Sequence, residues 1–160
     1  MAKKITCHTT IKDMKVYIGA DHNGFQLRGE LLKYLEAKGI DVVDVGDQQP
    51  DSNDDFPVYA QKVVKDVLSS EDKDARGILL CGSGQGMCMA ANRYKGIRAL
   101  LGYDNESVRS ARNDDDANVL CLPAHRLDAT AVKQLADSFL STEFAAAPRF
   151  VRRIKEMDNL

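Results

Sequence analysis

Within seven residues, Cys81-Gly82-Ser83-Gly84-Gln85-Gly86-Met87 brings together a thiol, a hydroxyl and three glycines. An apolar run precedes the segment and the helical run Cys88 to Tyr94 follows it, so it reads as strand end, tight loop and helix N-terminus. Glycines let backbone N–H groups come close to an anion, and a helix dipole adds partial positive charge there. Two chemistries compete for such a loop. One is a dinucleotide-binding turn with Asp104 as the ribose-holding acid, although the spacing is GxGxG rather than GxGxxG. The other makes Cys81 a base: a thiol near a helix N-terminus is expected to have its pKa lowered from ~8.5. Its thiolate can then take a proton from carbon while loop amides hold the enediolate oxygens. Without the loop, a lone cysteine is more often an inert buried residue.

A second cluster, Asp21-His22-Asn23-Gly24, directly follows the first apolar run. His22 is one of three histidines, with His8 and His125. A lone histidine is more often a structural hydrogen-bonder, but the carboxyl end of a strand is where ligands bind, which favours a role for His22. Histidines this scattered argue against a zinc site. Near the C-terminus, Arg149 and Arg153 stand four apart and share one helix face. They suit a single phosphate, or equally a solvated basic face.

The elements that position these residues are legible as short β-rich runs: Lys15 to Ala20, Ile40 to Val45, Gly77 to Cys81, Arg98 to Gly102 and Asn118 to Leu122. KVYIGA, GILLC and NVLCL are nearly continuous in apolar residues, as when helices cover both faces of a parallel sheet. Helical spacing fills Phe25 to Lys38, Pro57 to Ser69 and Ala129 to Leu140, and Pro148 opens a last basic helix to Met157. The expected fold is α/β, a Rossmann-like three-layer sandwich with a five-stranded parallel sheet. Ligands should sit beyond the strands' carboxyl ends, at residues 20–24, 81–87, 102–105 and 122–126.

With 160 residues, one domain over residues 14–160 is expected, after an N-terminal extension at 1–13. A formal charge of -2 argues against nucleic acid as the main partner. No apolar run nears the roughly 20 residues that cross a bilayer, so no membrane association and a cytoplasmic location are expected. The four cysteines, Cys7, Cys81, Cys88 and Cys121, follow neither a CxxC metal pattern nor a dense disulfide spacing and read as reduced thiols.

Taken together, GADHNGF, CGSGQGM, GIRAL, NDDDANVL and the final arginine pair resemble the ribose-5-phosphate isomerase B family, which also contains galactose-6-phosphate isomerases. The resemblance runs from about Met14 to the end, with the motifs in the family's order. It implies a sugar-phosphate aldose–ketose isomerase acting through a cis-enediolate, most simply on ribose 5-phosphate, with no metal and no organic cofactor. It further implies a homodimer whose active sites draw on both subunits, and leaves open whether dimers pair into a tetramer.

By the same resemblance Cys81 shuttles the proton between C1 and C2, Ser83 supports it, and Gly82, Ser83, Gly84, Gln85 and Gly86 form the enediolate cradle. Asp21 and His22 grip sugar hydroxyls, while Arg149 and Arg153 bind phosphate. Met87 stands where some members carry a glutamate base, which aligns this chain with the cysteine type. Two departures stand out. Asp114 and Asp115 occupy the positions of a His-Asn pair whose histidine opens the sugar ring, leaving that step to Asp114, to His22 or to no residue. A carboxylate's reference pKa near 4 suits it poorly unless the site raises it. Pro123-Ala124-His125-Arg126 replaces a shorter Gly-x-Arg stretch, which makes Arg126 the phosphate-contacting arginine and His125 an addition near the mouth. The departures bear on the substrate and keep a four- or six-carbon sugar phosphate in view. From other classes, a nucleotide-binding module and a non-catalytic sugar-phosphate sensor remain.

Overall fold

The computed structural model describes residues 11–160, the side chain of Lys12 excepted. The expected extension over 1–13, with Cys7 and His8, lies outside the described residues apart from Ile11–Asp13, a 3-10 turn whose Ile11 carbonyl accepts from Met14 N at 3.4 Å. Five strands, β1 (Lys15–Ala20), β2 (Asp41–Asp44), β3 (Arg76–Cys81), β4 (Ala99–Leu101) and β5 (Val119–Pro123), pair in parallel in the order β2-β1-β3-β5-β4. Each lies within one residue of the run that predicts it. The helices are α1 (Phe25–Ala37), α2 (Phe56–Ser69), α3 (Gln85–Ala91), α4 (Asn105–Asp115), α5 (Ala129–Ser141) and α6 (Pro148–Met157).

Successive strand side chains point to opposite faces, and both faces here are covered. Ile78 and Leu80 of β3 join Leu31 and Leu35 of α1, Val108 of α4, and Leu135 and Phe139 of α5. Leu79 and Cys81 face the other way, toward Tyr59 and Val63 of α2 and Met87 and Ala91 of α3. The result is the expected three-layer sandwich, in which each fully buried leucine, such as Leu79 or Leu80, contributes about 2 kcal/mol of transfer free energy. The same alternation aims Cys81 at the start of α3.

Two elements depart from the sequence reading. Helix α3 begins at Gln85 rather than Cys88, because Gly84 takes φ 73° as its N-cap and turns the loop directly into the helix. Helix α4 has no apolar stripe to announce it, with only Val108 and Arg112 buried. Its ends hold it: Asp104 accepts from Ser107 N at 2.7 Å, and Asp116 closes the helix at φ 48°. Asp104 is therefore a helix cap, which removes it as the ribose-holding acid. Among the described residues no helix is long and apolar enough to cross a membrane.

Candidate active site

Because every strand runs the same way, the loops after the strands gather at one end of the sheet. From β1 the chain moves outward to β2 and then returns on the other side as β3, so a crevice opens between the carboxyl ends of β1 and β3. Asp21 N donates to Leu80 O across that crevice at 3.2 Å, which sets the Asp21 and Cys81 loops side by side.

Cys81 is 4% exposed. Gly84 N donates to its Sγ at 3.2 Å, and the backbone N–H groups of Met87 and Ser83 face the same sulfur. Gly84 must be glycine twice over: its φ is 73°, and a Cβ there would stand 2.5 Å from Leu101 Cδ1. Burial pushes the Cys81 thiol above its ordinary value, the three amides pull it down, and the Asp21 charge adds to the rise. The net direction is up. This corrects the expectation of a lowered pKa: desolvation outweighs the backbone donors. Ser83 is exposed and its Oγ accepts from Gln85 N at 3.3 Å, so its backbone rather than its hydroxyl reaches the sulfur. The Phe56 ring covers Gly86, where a Cβ would lie 2.7 Å from its Cζ.

Asp21 is buried, and its Oδ1 accepts from Asn23 N at 2.9 Å and Gly24 N at 3.2 Å, bonds that fix the turn. His22 lies above it with Nδ1 2.6 Å from Asp54 Oδ1, while His22 N donates to Asp54 Oδ2 at 2.8 Å. The Asp54 hydrogen bond raises the His22 pKa, against a smaller effect of burial. Asp54 escaped the sequence reading: it sits in an acidic loop 32 residues away, and nothing in its spacing ties it to His22. Buried Arg28 anchors the start of that loop, 3.4 Å from Asp44 and donating to Asp47 O at 2.5 Å. Asp21, His22 and Asp54 offer ligand atoms within 4.8 Å of one another, a constellation of hydroxyl- or cation-binding character.

The third loop closes over the first two. Pro123 pairs in register with Cys81, Ala124 N donates to Cys81 O at 2.8 Å, and His125 N donates to Gly82 O at 3.0 Å. The His125 ring rests on Gly82, where a Cβ would stand 2.8 Å from its Cε1, and its Nε2 lies 3.2 Å from Asn23 Oδ1. Arg126 follows, exposed at the same end.

Four predicted site residues lie elsewhere in the chain. Helix α4 starts beyond β4 and runs back along the sheet for 11 residues, about 16 Å, so Asp114 and Asp115 reach the amino end. Asp115 O there accepts from Arg98 Nε at 2.9 Å, just before β4 begins, and Asp114 Oδ1 accepts from Asn113 Nδ2 at 2.7 Å. Helix α6 packs on α4 and carries Arg149 and Arg153 exposed. One chain thus joins Cys81, Asp21, His22, the glycine loop and Arg126 at one end, and Asp114, Asp115, Arg149 and Arg153 at the other.

Comparison with known proteins agrees with the fold and the motifs. A family model described as Ribose/Galactose Isomerase matches residues 16–157. A probable ribose-5-phosphate isomerase B of Mycoplasma genitalium is 39% identical over 142 residues, covering 89% of this chain and 92% of that protein. A ribose-5-phosphate isomerase B of Mycolicibacterium paratuberculosis is 33% identical over 141 residues, 88% of this chain and 87% of that protein. The crystal structure of a ribose 5-phosphate isomerase from Thermotoga maritima matches with a TM-score of 0.86 at 44% identity, covering 91% of this chain and 98% of that one. The Mycoplasma genitalium enzyme with bound ribulose-5-phosphate matches with a TM-score of 0.86 at 37% identity, covering 91% and 95%.

Proposed function

The chain belongs to the ribose/galactose isomerase family, and on that premise we propose that it interconverts ribose 5-phosphate and ribulose 5-phosphate through a cis-enediolate, with Cys81 as the base. The observation that carries this reading is the Cys81 sulfur, met by Gly84 N at 3.2 Å in the crevice beside Asp21 and His22. The thiolate takes the C2 proton, the amides of the Gly82–Gly86 loop hold the enediolate oxygens, and the thiol returns the proton to C1. A thiol whose pKa is raised is ionised in a smaller fraction but is the stronger base once ionised. Asp21 and His22 hold the sugar hydroxyls, with Asp54 favouring the charged imidazole and orienting it.

The phosphate falls to Arg126, Arg149 and Arg153, and Asp114 and Asp115 come to the site from the same end of the chain as Arg149 and Arg153. Since α4 and α6 carry their groups to the opposite end of the sheet, the reading requires a second copy of the chain. A two-fold homodimer completes two sites, each from both subunits. Cys81, Cys88 and Cys121 are free thiols, which suits a cytoplasmic enzyme. None of the steps calls on a metal or organic cofactor.

The deciding experiment is a coupled assay of ribose 5-phosphate beside allose 6-phosphate, galactose 6-phosphate and erythrose 4-phosphate. Turnover of ribose 5-phosphate is expected. Turnover of another sugar alone would keep the chemistry and change the substrate, an outcome to which Asp114 and Asp115 give some weight. Sugar-phosphate binding without turnover would make the protein a sensor, and binding of NAD in place of any sugar phosphate would make it a nucleotide-binding module.

A further inference from the structure

An enediolate forms only from an open-chain sugar, whereas a five-carbon aldose 5-phosphate is closed in solution through O4 as a cyclic hemiacetal. Resting on the isomerase reading, we propose that His125 opens this ring, in the place left between Asp114, His22 and no residue.

Three features of its position carry the assignment. The His125 backbone is tied to the catalytic loop by its own bond to Gly82 O at 3.0 Å and by its neighbour Ala124, which donates to Cys81 O at 2.8 Å. The ring lies on Gly82 itself: a Cβ at that position would be 2.8 Å from Cε1 and 3.0 Å from Nδ1, so the glycine makes room for the imidazole. Finally, Nε2 lies 3.2 Å from Asn23 Oδ1. A carbonyl oxygen only accepts, so Nε2 carries the proton and Nδ1, on the edge over the loop, carries the lone pair. Asn23 is in turn held by Asp21, its N–H bonded to Asp21 Oδ1 at 2.9 Å.

The ring therefore sits over the loop that follows Cys81, at the same end of the sheet as the thiol. Neither competitor matches it. His22 is paired through Nδ1 with the Asp54 carboxylate at 2.6 Å, which favours its protonated form and so disfavours a free lone pair. Asp114 reaches the site only from a second copy of the chain, with a carboxylate oxygen already accepting from Asn113 at 2.7 Å. A neutral imidazole carries one acceptor and one donor nitrogen on a single ring, as a relay needs.

In the step itself, His125 Nδ1 takes the proton of the anomeric hydroxyl. The C1=O bond forms as C1–O4 breaks, and the imidazolium returns the same proton to O4. His125 ends as it began, and the aldehyde is left beside Cys81.

The test separates ring opening from proton transfer at carbon. Ribulose 5-phosphate is open-chain, so solvent deuterium entering its C1 in D2O reads the Cys81 step alone, while conversion of ribose 5-phosphate requires both steps. For His125→Gln, which keeps a donor for Asn23, conversion should fall about 100-fold, and deuterium entry into recovered ribulose 5-phosphate should stay within about twofold of the wild type. Retention of both rates would overturn the assignment. So would an equal loss of both, which marks a residue that binds phosphate or serves the carbon step. A ring-specific loss in Asp114→Asn but not in His125→Gln would transfer the role to Asp114. If the unmodified protein converts no ribose 5-phosphate, the isomerase reading fails first and takes the role of His125 with it.

Discussion

The two ends of the sheet carry similar charged residues and use them in opposite ways. At the amino end, three arginines next to the strands, Arg112, Arg98 and Arg76, are occupied by the chain itself. Arg112 donates to Ala117 O at 2.6 Å and Thr142 O at 3.2 Å, and pairs with Asp116 at 2.9 Å. Arg98 holds the Asp116 carbonyl at 3.0 Å and its carboxylate at 3.1 Å. Arg76 donates to Phe139 O, and burial next to Arg112 lowers its pKa to about 9. These cations fasten helix ends. At the carboxyl end, a carboxylate or an amide occupies one ring nitrogen of each imidazole and leaves the other unbonded among the described residues. Asp54 takes His22 Nδ1 but not Nε2, and Asn23 takes His125 Nε2 but not Nδ1. A cluster of charges thus marks a site only where its internal partners leave reactive atoms available.

The contrast is broken most strongly at Cys81. Cys81→Ala should lower isomerisation by about 10³-fold or more while calorimetric binding of the sugar phosphate persists; near-normal turnover would remove the thiol from the chemistry. Next comes the claim that the ends meet only between copies. Arg153→Ala should cost about 10- to 100-fold in kcat/KM, the worth of a charge-assisted bond to phosphate. Mixed with Cys81→Ala and allowed to exchange subunits, it should recover about a quarter of wild-type activity, since half the dimers are mixed and each has one intact site. No recovery would mean that each chain works alone.

A smaller effect is expected at Asp54. In Asp54→Asn the His22 pKa, raised in the folded protein, should drop back toward 6.5, visible in a proton NMR titration of its ring. Activity should fall by up to about tenfold, most toward alkaline pH, as the charged form of His22 is less favoured. A raised folded-state pKa contributes stability below the unfolded value, and this contribution is lost as pH rises through the folded value. The stability gap between wild type and Asp54→Asn should accordingly narrow from acid toward alkaline pH. An unmoved titration would show that Asp54 does not govern His22. Smallest is the amino end: Asp116→Asn keeps a residue tolerant of φ 48° but removes the carboxylate shared by Arg98 and Arg112. It should cost about 1–2 kcal/mol in denaturant unfolding and leave the Cys81 proton-exchange step intact.

Much of this was readable in the chain. Continuous apolar runs locate the strands because a sheet covered on both faces needs them, and helix-spaced apolar residues locate α1, α2 and α5. Helix α4 was not readable, since caps and ion pairs rather than an apolar stripe hold it. Cys81 and its glycines were readable together because a loop that aims amides at one point demands glycine at fixed spacing. The direction of the Cys81 pKa was not: it depends on how deeply α2 and α3 bury the sulfur.

Local rules of backbone freedom, periodicity and capping act over a few residues, and with them the sequence alone determined the strands, most of the helices, the glycine loop and the family. Partnerships across space are another matter. His22 with Asp54, His125 with Gly82 and Asn23, and the parting of Asp114, Asp115, Arg149 and Arg153 from Cys81 follow from strand order and helix direction. Only the tertiary structure decided them, because packing brings together residues whose separation along the chain carries no signal.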